Sequence, residues 1–208
     1  MDTAFLPALF KGFMLSAGLI MAIGAQNMFV LRQGLKREHV WPVVMFCAAA
    51  DAMLIVAGVN GLGALLSAIP GLATALSLGG AAFLIWYGYG ALRRSMTSSS
   101  LIIDHQAGLS LTAALASTAA FTFLNPHVYI DTVMLMGTIG TSMPVDERPW
   151  FVMGAASASF AWFASLGFGA RFLAPLFAQP ITWRMLDLLI ALMMAALAVS
   201  LLRGVFVG

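Results

Sequence analysis

Apolar residues along the chain fall into six long runs: roughly Leu6 to Leu31, Val43 to Ser67, Leu72 to Leu92, Leu111 to Ile139, Trp150 to Ala170 and Trp183 to Leu202. A helix rises 1.5 Å per residue, so crossing a hydrocarbon core of about 30 Å takes about 20 residues. Each run meets that length or nearly does. In lipid only helices and closed barrels satisfy every backbone polar group. The pattern therefore predicts an all-α membrane protein built as a six-helix bundle. The breaks carry turn chemistry: Arg32 to Pro42 is charged, Ile69-Pro70-Gly71 reads as a tight turn, and Arg93 to Gln106 is polar and serine-rich. Met143 to Pro149 is again charged, and Pro175 and Pro180 bracket a short connection. No run leaves room for a second domain, so residues 1–208 read as one polytopic unit.

Two runs are interrupted from within. In the fourth, Leu124-Asn125-Pro126-His127-Val128-Tyr129-Ile130-Asp131 sets an amide, a proline and a carboxylate among apolar residues, and Asp131 is the only formal charge from Ala107 to Val145. Pro126 donates no backbone hydrogen bond, and its ring clashes with the carbonyl four residues back, so a helix must kink or open there. Opened backbone at membrane depth survives only where it is buried in protein or lines a wet cavity. A carboxylate at that depth costs about 2.5 to 3.5 kcal/mol on insertion scales, which marks it as a functional candidate. The first run has an answering break at Gly24-Ala25-Gln26-Asn27. Breaks at Gly24 and Pro126, in spans 1 and 4, open the two groups of three and raise the expectation of an inverted 3+3 repeat. Asp51, the one charge of the second run, lies ten residues after Trp41, roughly 15 Å along a helix and so near mid-membrane. Ser157, Ala161, Ser165 and Gly169 recur every four residues, a stripe of small residues expected to pack against another helix.

Composition agrees with the pattern: 62% of residues are hydrophobic and 9% are charged, outside the range of soluble domains. The net charge of +2 is scattered, which argues against a nucleic-acid partner. A lone Cys47 admits no intramolecular disulfide and reads as a core thiol. The 14 methionines are spread through all runs and read as gap-fillers rather than metal ligands. Arg32, Lys36, Arg37, Arg93, Arg94, Arg171 and Arg184 fall on one side against Lys11, Arg148 and Arg203 on the other. The positive-inside rule puts the first set in the cytoplasm and both termini outside, whereas a re-entrant first run would move the N-terminus to the cytoplasm. Met1 to Phe5 lacks the basic start of a secretory signal, so the first run is expected to remain as a span. Trp41, Trp86, Trp150 and Trp183 sit near run ends as interfacial anchors.

Taken together, Gly24-x-Gln26-Asn27, then Arg32-Gln33-Gly34-Leu35-Lys36-Arg37, Asp51, Gly79-Gly80-Ala81-Ala82-Phe83-Leu84-Ile85-Trp86-Tyr87-Gly88, and Leu124 to Asp131 resemble the bacterial lysine/arginine exporter family (LysE/ArgO). The resemblance spans nearly the whole chain. Ala25 departs from the usual Gly-Pro-Gln-Asn, while Asn125-Pro126-His127 with Asp131 is closest to the arginine exporter branch. It implies a multi-pass protein of the bacterial inner membrane that exports arginine, lysine or both. Export of neutral amino acids or another small solute on the same fold is the alternative.

The chemistry of such cargo agrees. A cationic side chain, an ammonium and a carboxylate held away from water must each be paired or hydrogen-bonded. Asp51 and Asp131 supply negative charge, Gln26, Asn27 and Asn125 supply amide and backbone dipoles, and the half-helix starting at Pro126 offers N–H groups to a carboxylate. The structural alternatives are a pair between Asp51 and Arg93 or Arg94, a satisfied polar role for His127, and a packed Tyr129 with a hydrogen-bonded hydroxyl. Expelling one positive charge against about 100 mV costs about 2.3 kcal/mol, so exchange for inward protons is expected, with Asp131 and His127 as relay candidates. No phosphate-binding loop or protease signature occurs, so neither an ATP-driven pump nor an enzyme is expected. The partners implied are a basic amino acid, protons and the lipid bilayer, with no cofactor and no metal; a homo-oligomer stays open.

Overall fold

The computed structural model describes residues 5–21, 24–63, 68–69, 71–96 and 108–206, and among these every regular element is helical. The first run forms α1 (Phe5–Ile20) and α2 (Ala25–Lys36), bent by 85° at the glycine break. After α2 the chain turns through left-handed Arg37 (φ 57°) and His39 (φ 48°) into α3 (Val40–Val59). The Arg37 N–H returns to the Gln33 and Gly34 carbonyls, and the His39 ring bonds the Leu109 carbonyl at 2.7 Å. α4 is Leu72–Met96. Gly71 precedes it at φ +75°, while Pro70 of the expected turn and residues 97–107 of the polar connection lie outside the described residues.

The fourth run is helical in pieces. Ser110 caps α5 (Leu111–Phe123) by accepting the Ala113 N–H. Asn125 is extended, and a one-turn α6 (Pro126–Val128) leads into a π-helical segment, Tyr129–Leu135, and then α7 (Met136–Thr141). Pro149 stands in the first turn of α8 (Arg148–Gly169), where a missing N–H costs nothing. A 3₁₀ segment (Ala170–Ala178) joins it to α9 (Pro180–Phe206). Among the described residues, four helices are long and apolar enough to cross a membrane, five if α1 and α2 count as one broken span.

The two broken runs each follow one straight helix. Phe5 stacks on Trp150 at 5.0 Å between centroids, Gly154 abuts Leu9, Ser16 meets Ser159 at 3.4 Å, Trp162 reaches Asn27, and Gly34 abuts Gly167. Contacts thus advance steadily along α8 as the chain proceeds through α1 and α2. The second series runs along α3: Leu109 meets His39, Phe123 meets Phe46, Val133 and Gly137 lie on Gly58, and Gly140 lies on Val59. α4 packs along α9, with Gly88 against Met194, and α3 packs on α8, with Gly167 against Val40 and Val44. Small residues permit these approaches, which supply the dispersion contacts that hold helices together in lipid.

The stripe expected to pack does not. Ser157, Ala161 and Ser165 face outward, and Ser157 and Ser165 return their hydroxyls to the Gly154 and Ala161 carbonyls at 2.7 and 2.6 Å. The buried face of α8 is Gly154, Ala155, Ala158, Ser159, Phe163 and Gly167. Both faces are rich in small residues, so spacing alone could not choose between them. Cys47 is a buried free thiol, as expected.

Candidate functional site

A cavity of about 350 Å³ occupies the middle of the helices. Gly24, Gln26, Asn27, Asp51, Asn125, His127 and Asp131 all line it, whereas Pro126, between two lining residues, is buried and does not. Residues from opposite ends of the sequence meet there because each break sits beside the middle of a straight helix. The volume is within the roughly 300 to 1,000 Å³ of small-molecule sites.

Each break explains its own local chemistry. Ile20 ends α1 with a carbonyl that has lost its helical partner, and the Asn27 amide donates to it at 2.9 Å. The Asn27 carbonyl oxygen accepts from the Trp162 indole at 3.3 Å. The Asn27 side chain thus ties the two sides of the first break together. At the second break, Asn125 caps the turn beginning at Pro126 by accepting the His127 N–H at 3.1 Å. That leaves the Phe123 carbonyl without its usual helical donor, and the Tyr129 hydroxyl supplies one at 3.0 Å, the bonded role expected for it. The π-helical segment that follows contains Asp131, and π-bulges recur at functional sites because the extra residue per turn redirects a side chain.

Asp51 is buried at mid-length in α3 and has no ion pair among the described residues. The Ser159 hydroxyl, which meets Ser16 at 3.4 Å, lines the same cavity. The expected structural alternative for Asp51, pairing with Arg93 or Arg94, does not occur among the described residues, and Arg94 pairs with Asp187. The Gln26 Nε2 is buried with no hydrogen-bond partner among the described residues. Gly24 caps α2 without a side-chain hydrogen bond, so the first N–H groups of α2 border the cavity.

The cavity ends at the same depth on every helix. Its lining reaches Asn27, Asp51, Leu84, Ala120, Phe163 and Leu197 and goes no further toward the basic end. Beyond, Phe29, Cys47 and Met194 are fully packed. Toward the other end the lining continues through Ile55, Gly80, Met136 and Leu201. Two features have no counterpart in the sequence reading. One is the hydroxyl pair Ser16 and Ser159, legible only as small residues in apolar runs. The other is Asp187, which stands three residues after Arg184 and reads as a charge near a helix end.

The LysE type translocator family matches residues 17–204. The chain belongs to that family. Similar relatives are proteins of Mycobacterium bovis and of two strains of Mycobacterium tuberculosis, each bearing the name "putative amino-acid transporter". Each is 46% identical to this translocator over 184 residues, covering 88% of the chain and 91% of the relative. No solved structure matches it. The translocator is therefore a multi-pass membrane protein of a family that moves solutes and is not an enzyme.

Proposed function

We propose that this translocator is a secondary active exporter of basic amino acids, arginine or lysine, driven by exchange for protons across a bacterial inner membrane. The observation that carries the reading is that Asp51 and Asp131, far apart in sequence, border one cavity with both helix breaks. Two carboxylates facing one small hollow suit a cargo with excess positive charge, because buried charge needs a partner. The cargo's own carboxylate is matched by the uncapped start of α2 and the spare Gln26 amide, where helix-terminal N–H groups favour an anion. Asn27 and Asn125 are engaged at the breaks, so they hold the site open and contribute backbone rather than side-chain groups. When the cargo leaves, a proton neutralises the acids in its place, and His127 at the cavity wall passes it on.

The same reading takes each broken run as one span, giving six. Pairing of α1 and α2 with α8, and of the fourth run with α3, is interchanged when the two halves are exchanged. Pairings of α4 with α9 and of α3 with α8 map onto themselves. Glycine contacts follow each break in the same way, Gly34 on Gly167 and Gly137 on Gly58, and Asp51 and Ser159, each near the middle of its helix, border the same cavity. These correspondences support an inverted 3+3 repeat with the cargo site on its axis.

The test is counterflow in proteoliposomes with arginine, lysine, threonine and leucine under an imposed pH gradient. Exchange of arginine and lysine that follows the gradient is expected. A neutral-only profile would overturn the substrate assignment, and efflux indifferent to the gradient would overturn the coupling.

A further inference from the structure

Toward the basic end, starting from the floor of the cavity, the structure has two layers. The first is aromatic: Phe121 lies 4.7 Å from Phe83, 5.0 Å from Tyr87 and 5.4 Å from Phe29, between ring centroids. These rings come from α2, α4 and α5. The second layer is ionic. Asp187 of α9 accepts Nε and Nη2 of Arg94 of α4 at 3.2 and 3.0 Å on a single oxygen, and Nε of Arg32 of α2 lies 3.4 Å from that same oxygen. The Arg32 and Asp187 side chains are both 8% exposed. One acid therefore ties three helices together directly beneath the site.

We propose that Asp187, shared between Arg32 and Arg94, is the latch of a cytoplasmic gate whose seal is the Phe29, Phe83, Tyr87 and Phe121 cluster. The position follows from the cavity, whose lining ends at Phe83 and Phe121 on this side, with Phe29 and Tyr87 packed against them. The basic end is cytoplasmic by the positive-inside rule. The composition suits a reversible closure. A buried ion pair gains little over its hydrated partners, because desolvation nearly cancels attraction, so the latched and water-filled arrangements lie close in free energy. Apolar packing alone would hold the seal shut. Removing only the acid takes away the carboxylate that stands between the Arg32 and Arg94 charges, which favours opening.

The gate rests on the export reading for its purpose but is measured without any substrate. In a Cys47→Ala background, a cysteine is placed at Ala120 in the cavity wall, and its reaction with a charged, membrane-impermeant thiol reagent is followed from each face in oriented vesicles. The background is expected to react from the outer face and to be protected from the cytoplasmic face. Asp187→Asn should raise the cytoplasmic-face rate about tenfold or more, Arg94→Gln by a smaller factor, and Asp187→Glu should keep the protection. A cytoplasmic-face rate unchanged in Asp187→Asn, with outer-face labelling intact, would overturn the gate. If Asp187→Asn does not reach the membrane, Arg94→Gln is judged by the same criterion. Absence of arginine exchange would sink the substrate reading and leave this result standing.

Discussion

Gly137→Ala tests whether the fourth run must lie tight on α3 for the site to form. A Cβ at Gly137 would fall 2.6 Å from the Gly58 oxygen, 2.7 Å from its carbonyl carbon and 3.0 Å from its Cα, all backbone atoms that cannot swing aside. Ordinary contact begins near 3.4 Å, so the two helices must part by somewhat under 1 Å. Overpacking of this kind costs about 1–3 kcal/mol. At roughly 2–4 °C per kcal/mol for a chain of this size, the melting temperature in detergent should fall by about 2–12 °C. Transport should fall as well, because Asp131 precedes Gly137 on the same stretch of residues 126–141 and moves with it. Gly18→Ala is the control, since its Cβ would meet nothing within 4 Å, and alanine favours a helix over glycine. Melting and transport are measured for both. Equal behaviour of Gly137→Ala and the parent would refute the close approach on which the position of Asp131 depends.

Other perturbations probe the breaks themselves. Tyr129→Phe removes the donor that serves the Phe123 carbonyl and should cost about 1–3 kcal/mol, read as a lower melting temperature with little change in substrate preference. Asn125→Ala removes the cap on His127 N–H and should cost about 1 kcal/mol, whereas Asn125→Asp keeps an acceptor and should recover most of that loss in the same melting assay. Ser159→Ala removes a hydroxyl from the wall of the cavity that Asp51 borders; a several-fold rise in KM for arginine is expected, with the maximal rate less affected.

Much of this architecture was legible in the residues. Apolar runs marked the helices because lipid leaves few alternatives, and Gly24 and Pro126 marked the breaks because each alters what the backbone can do. Asp51 and Asp131 stood out because charge is costly in hydrocarbon, and both border the cavity. Three features were hidden. The buried face of α8 could not be read because a helix that is apolar all round carries no phase in its pattern. The π-helical turn at Tyr129–Leu135 adds one residue to the helical repeat without a residue type that announces it. The Asp187 pairing joins α9 to helices at the other end of the sequence, and that partnership exists only once the chain is folded.

Equilibrium binding of labelled arginine to the purified protein tests the two-acid site most directly. Saturable binding displaced by lysine and not by leucine is expected. Losing one charge-assisted contact of about 1.5–3 kcal/mol should weaken binding about 10- to 100-fold in either Asp51→Asn or Asp131→Asn. Undiminished arginine affinity in both variants, each melting like the parent, would contradict it.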